Sequence, residues 1–122
     1  MPWTYSQSTG HLTHDSVPVG VGYSGAGHDA RTGRNNPEME MIGSRGPIPQ
    51  GQWSIGRAHH HPHLGPTIMG LLPVGHIPYY RDLFRIHGNN SANDASHGCI
   101  ILGPTIRHQI ANSADKILNV VP

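Results

Sequence analysis

The chain has 122 residues, enough for one domain with one core and too few for two ordinary domains. A net charge of +1, with 12% of residues charged, excludes a basic nucleic-acid module and a charge-driven disordered chain. Sixteen glycines and eleven prolines beside 35% hydrophobic residues indicate a loop-rich, mainly β fold, and the single cysteine, Cys99, excludes an internal disulfide.

Residues 3–13 alternate loosely around Ser8-Thr9-Gly10 and read as a hairpin. Val17 to Tyr23 is apolar at every second position, a strand in which Pro18 favours an edge or an end. Residues 24–46 are rich in turn formers and predict a long loop with one helical turn at Glu38–Met41. Gly46-Pro47-Ile48-Pro49-Gln50-Gly51 reads as a rigid turn, because its two prolines fix φ. Gln52 to Ile55 alternates as a strand, with Trp53, like Trp3, expected in the core. Residues 57–70, with His59-His60-His61-Pro62-His63, read as another long loop, followed by a short apolar segment at Leu71–Val74. Leu83 to His87 reads as a strand with Phe84 and Ile86 on one face and Arg85 and His87 on the other. Pro104, Ile106, Ile110 and Ala114 mark a helix that Asn112-Ser113 stops, and Lys116 to Val121 reads as a closing strand. No linker divides the chain, so residues 1–122 are expected to form a single domain.

No segment reaches the ~18 consecutive apolar residues needed to span a bilayer, so no membrane insertion is expected. The opening residues lack the basic and apolar regions of a secretory signal, which predicts a cytosolic protein or one exported by another route.

The chemistry is concentrated at Ser96-His97-Gly98-Cys99, which runs into the apolar Ile100-Ile101-Leu102. This pattern sets a nucleophile between a loop and a buried segment. Gly98 lets a carbonyl approach the backbone, and the Gly98 and Cys99 amides are candidate oxyanion donors. A thiol needs a base to raise its thiolate fraction, and His87, at the end of a strand and twelve positions earlier, is the candidate. Tyr23 and Ser24 are read either as groove-lining residues or as inward packing at a strand end.

Ile86-His87-Gly88 followed by Ser96-His97-Gly98-Cys99-Ile100 resembles the active-site signature of YkuD-type L,D-transpeptidases. The short spacer, Tyr23-Ser24-Gly25 and the Gly46–Gly51 turn resemble more specifically the compact L,D-transpeptidase-like toxins exported by type VI secretion systems. The resemblance spans about Val17 to Val121. It implies a compact β-sandwich with a helix after the nucleophile. It also implies thioester chemistry on peptidoglycan stem peptides, without a cofactor, by carboxypeptidase or exchange reactions. His87 would be the base, the Gly88 carbonyl would orient it, and Ser96 and His97 would shape the pocket. Arg81 or Arg85 would hold a substrate carboxylate, since an arginine grips one bidentately. A toxin of this kind implies an immunity protein, a possible contact with the secretion machinery, and action in the periplasm of target bacteria. Two alternatives stay open: a metal-binding or metal-dependent module using His59–His63, and a non-catalytic wall-binding domain with a buried Cys99.

Overall fold

The computed structural model describes residues 2–122. The first hairpin pairs β1 (Trp3–Ser6) with β2 (His11–His14), and β3 (Val17–Val21) adds to β2 as the outermost strand of that end. Pro18 therefore lies where a missing N–H breaks no interior ladder. β4 (Tyr23–Ser24) follows, then a long loop with a single 3-10 turn at Pro37–Met39, entered through the Asn36 side chain. β5 (Gly51–Ile55), β6 (His59–His61), β7 (Gly65–Val74), β8 (Arg85–His87) and β9 (Ile100–Ile101) precede α1 (Pro104–Ala111) and β10 (Ile117–Val121).

The hydrogen bonds run through one mixed sheet in the order β3-β2-β1-β10-β5-β7-β8-β9-β4, with β6 paired to β7. The mainly β fold with one helix is as the residues predict. The expected sandwich is built from this single sheet, and its two halves are joined through β7. Leu71 to Val74 of β7 pair with β5, while Met69 and Gly70 pair with β8. Both halves bury side chains in one core: Trp3, Tyr5, Trp53 and Leu118 from one, Ile86, Ile100 and Leu102 from the other, with Ile110 of α1. Each fully buried large side chain contributes roughly 1.5–3 kcal/mol. β10 lies between β1 and β5, so the last strand is central to the sheet.

The structure corrects the loop read at residues 57–70: β6 and most of β7 occupy it. The histidines of β6 are largely exposed on a short hairpin, so they show no apolar alternation. Ile68 and Met69 are both buried where β7 changes partners, which breaks the period of two. The strand read from Leu83 begins only at Arg85, because Leu83 has a φ of 63°.

Two features brace the region around Cys99. The Gly46–Gly51 turn gathers side chains from distant segments: Gln7 Nε2 donates to Ile48 O at 2.9 Å, and Trp53 Nε1 to Pro49 O at 3.1 Å. On α1, Arg107 donates from Nε to Leu102 O at 3.0 Å and from Nη1 to Pro66 O at 2.9 Å, tying the helix to β7.

Candidate active site

The loop that carries Cys99 is held by serines. Ser96 is fully buried, and its hydroxyl donates to Cys99 O at 2.6 Å while accepting from Gly25 N and Gly98 N at 2.9 and 3.0 Å. The hydroxyl of Ser24, also fully buried, donates to Gly98 O and accepts from Ile48 N, each at 2.8 Å. These bonds fix the backbone on both sides of the thiol and tie it to the Gly46–Gly51 turn. Gly98 has a φ of 134°, and a Cβ there would lie 2.6 Å from Arg81 Nη2 and 2.9 Å from Phe84 Cε1. Only glycine fits.

β8 and β9 are parallel, with Ile86 opposite Ile100 and His87 opposite Ile101. Carried back one residue, this register sets Cys99 opposite Arg85. Side chains alternate along a strand, so Ile86 and Ile100 enter the core while Cys99, Arg85 and His87 share the other face. Cys99 and His87 are thus diagonal neighbours, and both line a cleft of about 550 Å³ with Arg81, Leu83, Phe84, Arg85, His97 and Gly98. Cys99 Sγ points its proton toward Leu83 O at 3.8 Å. His87 Nδ1 lies 2.9 Å from Gly88 O. A carbonyl only accepts, so Nδ1 carries the proton and Nε2 of the neutral ring is left as the basic nitrogen. Gly88 is crowded as well, since a Cβ there would meet Arg107 Nη2 at 2.9 Å.

The structure distributes the remaining candidates unevenly. Of the two amides read as oxyanion donors, Gly98 N–H is engaged by Ser96 Oγ, whereas Cys99 N–H has no acceptor among the described residues. Arg81 donates to the carbonyls of Glu40, Gly46, Pro47 and His97, so it acts as a strut between loops. The Arg85 guanidinium has no hydrogen-bond acceptor among the described residues and lines the cleft. His97 is exposed at the rim, its Nδ1 3.4 Å from Ser44 O. Tyr23 and Ser24 are buried behind the Cys99 loop and do not line this cleft. Tyr23 OH donates to Asn89 Oδ1 at 2.7 Å and accepts from Ala95 N at 2.8 Å, bracing the segment that leads to Ser96. Among the described residues no three His, Cys, Asp or Glu side chains converge to hold a metal ion, and no helix is long and apolar enough to cross a membrane.

The model of one protein family, described as the Tlde1 domain, matches residues 20–121. The chain belongs to the Tlde1 domain family. This is a family of L,D-transpeptidase-like type VI secretion effectors that act on peptidoglycan. The search of curated proteins found no match. The matched span of the Tlde1 domain includes every site residue named above, while β1 and β2 lie before it.

Burial governs the electrostatics of this Tlde1 site. It lowers the pKa of His87, opposed by the Gly88 hydrogen bond and reinforced by the charges of Arg107 and Arg85. It raises the pKa of Cys99, opposed by the Arg85 backbone N–H and by the charges of Arg85 and Arg81. Both shifts favour a neutral thiol beside a neutral imidazole at neutral pH. If His87 is the base, kcat/KM should rise with pH as the ring deprotonates, with its midpoint below the ordinary histidine value of about 6.5. It should then hold level through neutrality. A pH–rate profile on a soluble stem peptide checks this, and an acid limb centred above about 6.5 would remove His87, with its lowered pKa, as the base.

Sequence reasoning missed Arg107. A charged residue in a short helix reads as a surface group, yet Arg107 is 8% exposed. Its spacing of three from Ile110 sets it on the buried face, which is the signal that could have found it.

Proposed function

We infer that this Tlde1 domain is a cysteine-dependent L,D-carboxypeptidase and L,D-transpeptidase of peptidoglycan stem peptides. The observation that carries the reading is the shared cleft of Cys99 and His87, with Nδ1 of the imidazole bonded to Gly88 O and Nε2 left free. In this reading the scissile bond joins the L-centre of meso-diaminopimelate to the terminal D-alanine. His87 Nε2 takes the thiol proton as Cys99 Sγ attacks the carbonyl carbon. Cys99 N–H receives the developing oxyanion, and the protonated His87 returns its proton to the leaving D-alanine amine. A thioester remains on Cys99. Water then yields the tripeptide and the free thiol, whereas a D-amino acid amine yields the exchanged stem.

Supporting parts take defined roles. Ser96 holds the nucleophile loop through three hydrogen bonds. Gly98 opens the backbone to the carbonyl, and Gly88 orients the base. Arg85, with its unengaged guanidinium, is the better carboxylate holder of the two arginines, since Arg81 already binds four carbonyls. His97 shapes the rim.

As an effector of this kind, the protein would act in the periplasm of a target cell and meet a cognate immunity protein at home, with a secretion-machine component as a further partner. The test is mass analysis of muropeptides after incubation of purified protein with tetrapeptide-bearing peptidoglycan. Loss of one alanine residue per stem, or its replacement by an added D-amino acid, is expected. Unaltered stems across neutral pH would overturn the reading.

A further inference from the structure

A second cavity of about 630 Å³ adjoins the cleft. Leu64 lines both, and while His87 faces the first, Gly88 and Asn89 line the second. Arg34 and Arg107 line this second cavity, and no aspartate or glutamate does. Nη2 of the buried Arg107 has no acceptor among the described residues and lies against Gly88. The Arg34 guanidinium stacks 3.5 Å over the Tyr23 ring, with Nη1 donating to Asn93 O at 2.8 Å. Its Nε and Nη2 are without acceptors among the described residues.

Arg107 is buried with no counter-ion among the described residues, a desolvation cost that an anion would relieve, and the half-buried Arg34 adds a second positive charge to the same concavity. The entry to α1 adds to this. Gly103 and Pro104 line the cavity, and Gly103 has no side chain to cap the first-turn N–H groups. The rest of the wall is mixed: Val21, Leu64, Ile101 and Leu102 give it an apolar side, and Asn89 and Asn93 add polar groups. That wall suits an anion attached to a small organic body better than a bare inorganic ion.

We propose that this cavity is a carboxylate-binding subsite, in which Arg34 and Arg107 hold the carboxylate of an amino acid or short peptide beside the Cys99–His87 cleft. The proposal rests on the stem-peptide reading for the identity of its ligand. The carboxylate belongs either to the stem being processed or to a free D-amino acid that enters the exchange reaction.

The experiment is an NMR titration of 15N-labelled Cys99→Ala protein with D-alanine, with D-alaninamide and with a D-alanine-terminated tetrapeptide. The Gly88 and Gly103 amides should shift with D-alanine, with the tetrapeptide or with both, and not with the amide analogue. A response to D-alanine identifies the free amino acid as a source, and a response to the tetrapeptide alone identifies the stem. Arg34→Gln should weaken that binding about tenfold, as expected for loss of a charge-assisted contact, and Arg34→Lys should recover part of it. Arg107→Lys, which keeps the charge and removes the fork, should weaken it too. Equal shifts with D-alaninamide, shifts confined to the Cys99 cleft, or unchanged affinity in Arg34→Gln would overturn the subsite. Because binding is read in a protein without the thiol, these results are independent of D-alanine release by the wild type, which tests the stem-peptide reading.

Discussion

Cys99→Ala is expected to lower kcat/KM for D-alanine release from tetrapeptide stems by roughly 10⁴-fold or more, to the assay background. No other residue of the chain carries a thiol, and no other side chain can form the thioester. The fold should survive, because the loop is fixed by Ser96 and Ser24 through backbone atoms and not through Sγ. His87→Ala should cost about 10²–10⁴-fold, the usual range for a general base. The double variant should be no worse than Cys99→Ala alone, since the two act as one unit. Mass analysis of released D-alanine, with circular dichroism to confirm folding, decides it. Persistent release by folded Cys99→Ala protein would falsify the thioester mechanism.

Gly98→Ala should have the second-largest effect, and for a different reason. The new Cβ would fall 2.6 Å from Arg81 Nη2 and 2.9 Å from Phe84 Cε1, at a φ of 134° that L-residues rarely adopt. Arg81 cannot swing aside without giving up carbonyl contacts to Gly46 and His97. The strain should lower stability by about 1–3 kcal/mol. It should also displace the Cys99 backbone, and a shift of about 1 Å in a reacting group can cost about 10²-fold in rate. Gly70→Ala is the control, because a Cβ at Gly70 meets nothing within 4 Å. Urea unfolding and turnover are measured together on both variants. If Gly98→Ala behaves like Gly70→Ala, the close packing around Gly98 is not what positions the thiol.

Much of this site is legible in local sequence. A histidine ending a strand, a Ser-His-Gly-Cys turn and an apolar run after it already suggest a base, a nucleophile loop and a buried anchor. The first hairpin, the stop at Asn112-Ser113 and the burial of Trp3 and Trp53 are likewise local or compositional, and the structure agrees on each. The strands at residues 59–74 escaped because periodicity fails where a strand changes neighbours and where its outer partner is polar. The uses of Arg81, Ser24 and Tyr23 escaped for another reason. Their partners are backbone atoms 34 to 74 residues away in several cases, and backbone acceptors have no sequence signature.

The sequence by itself therefore named the candidate groups, because nucleophilicity and basicity belong to residue types, and it marked the glycines beside them. Only the tertiary structure decided which of those groups are free to act. Gly98 N–H is occupied by Ser96, Arg81 by four carbonyls, and Arg107 is buried while lining a second cavity. Hydrogen-bond capacity is finite and is assigned by whatever the fold brings near, so a donor's availability is a property of the packed chain.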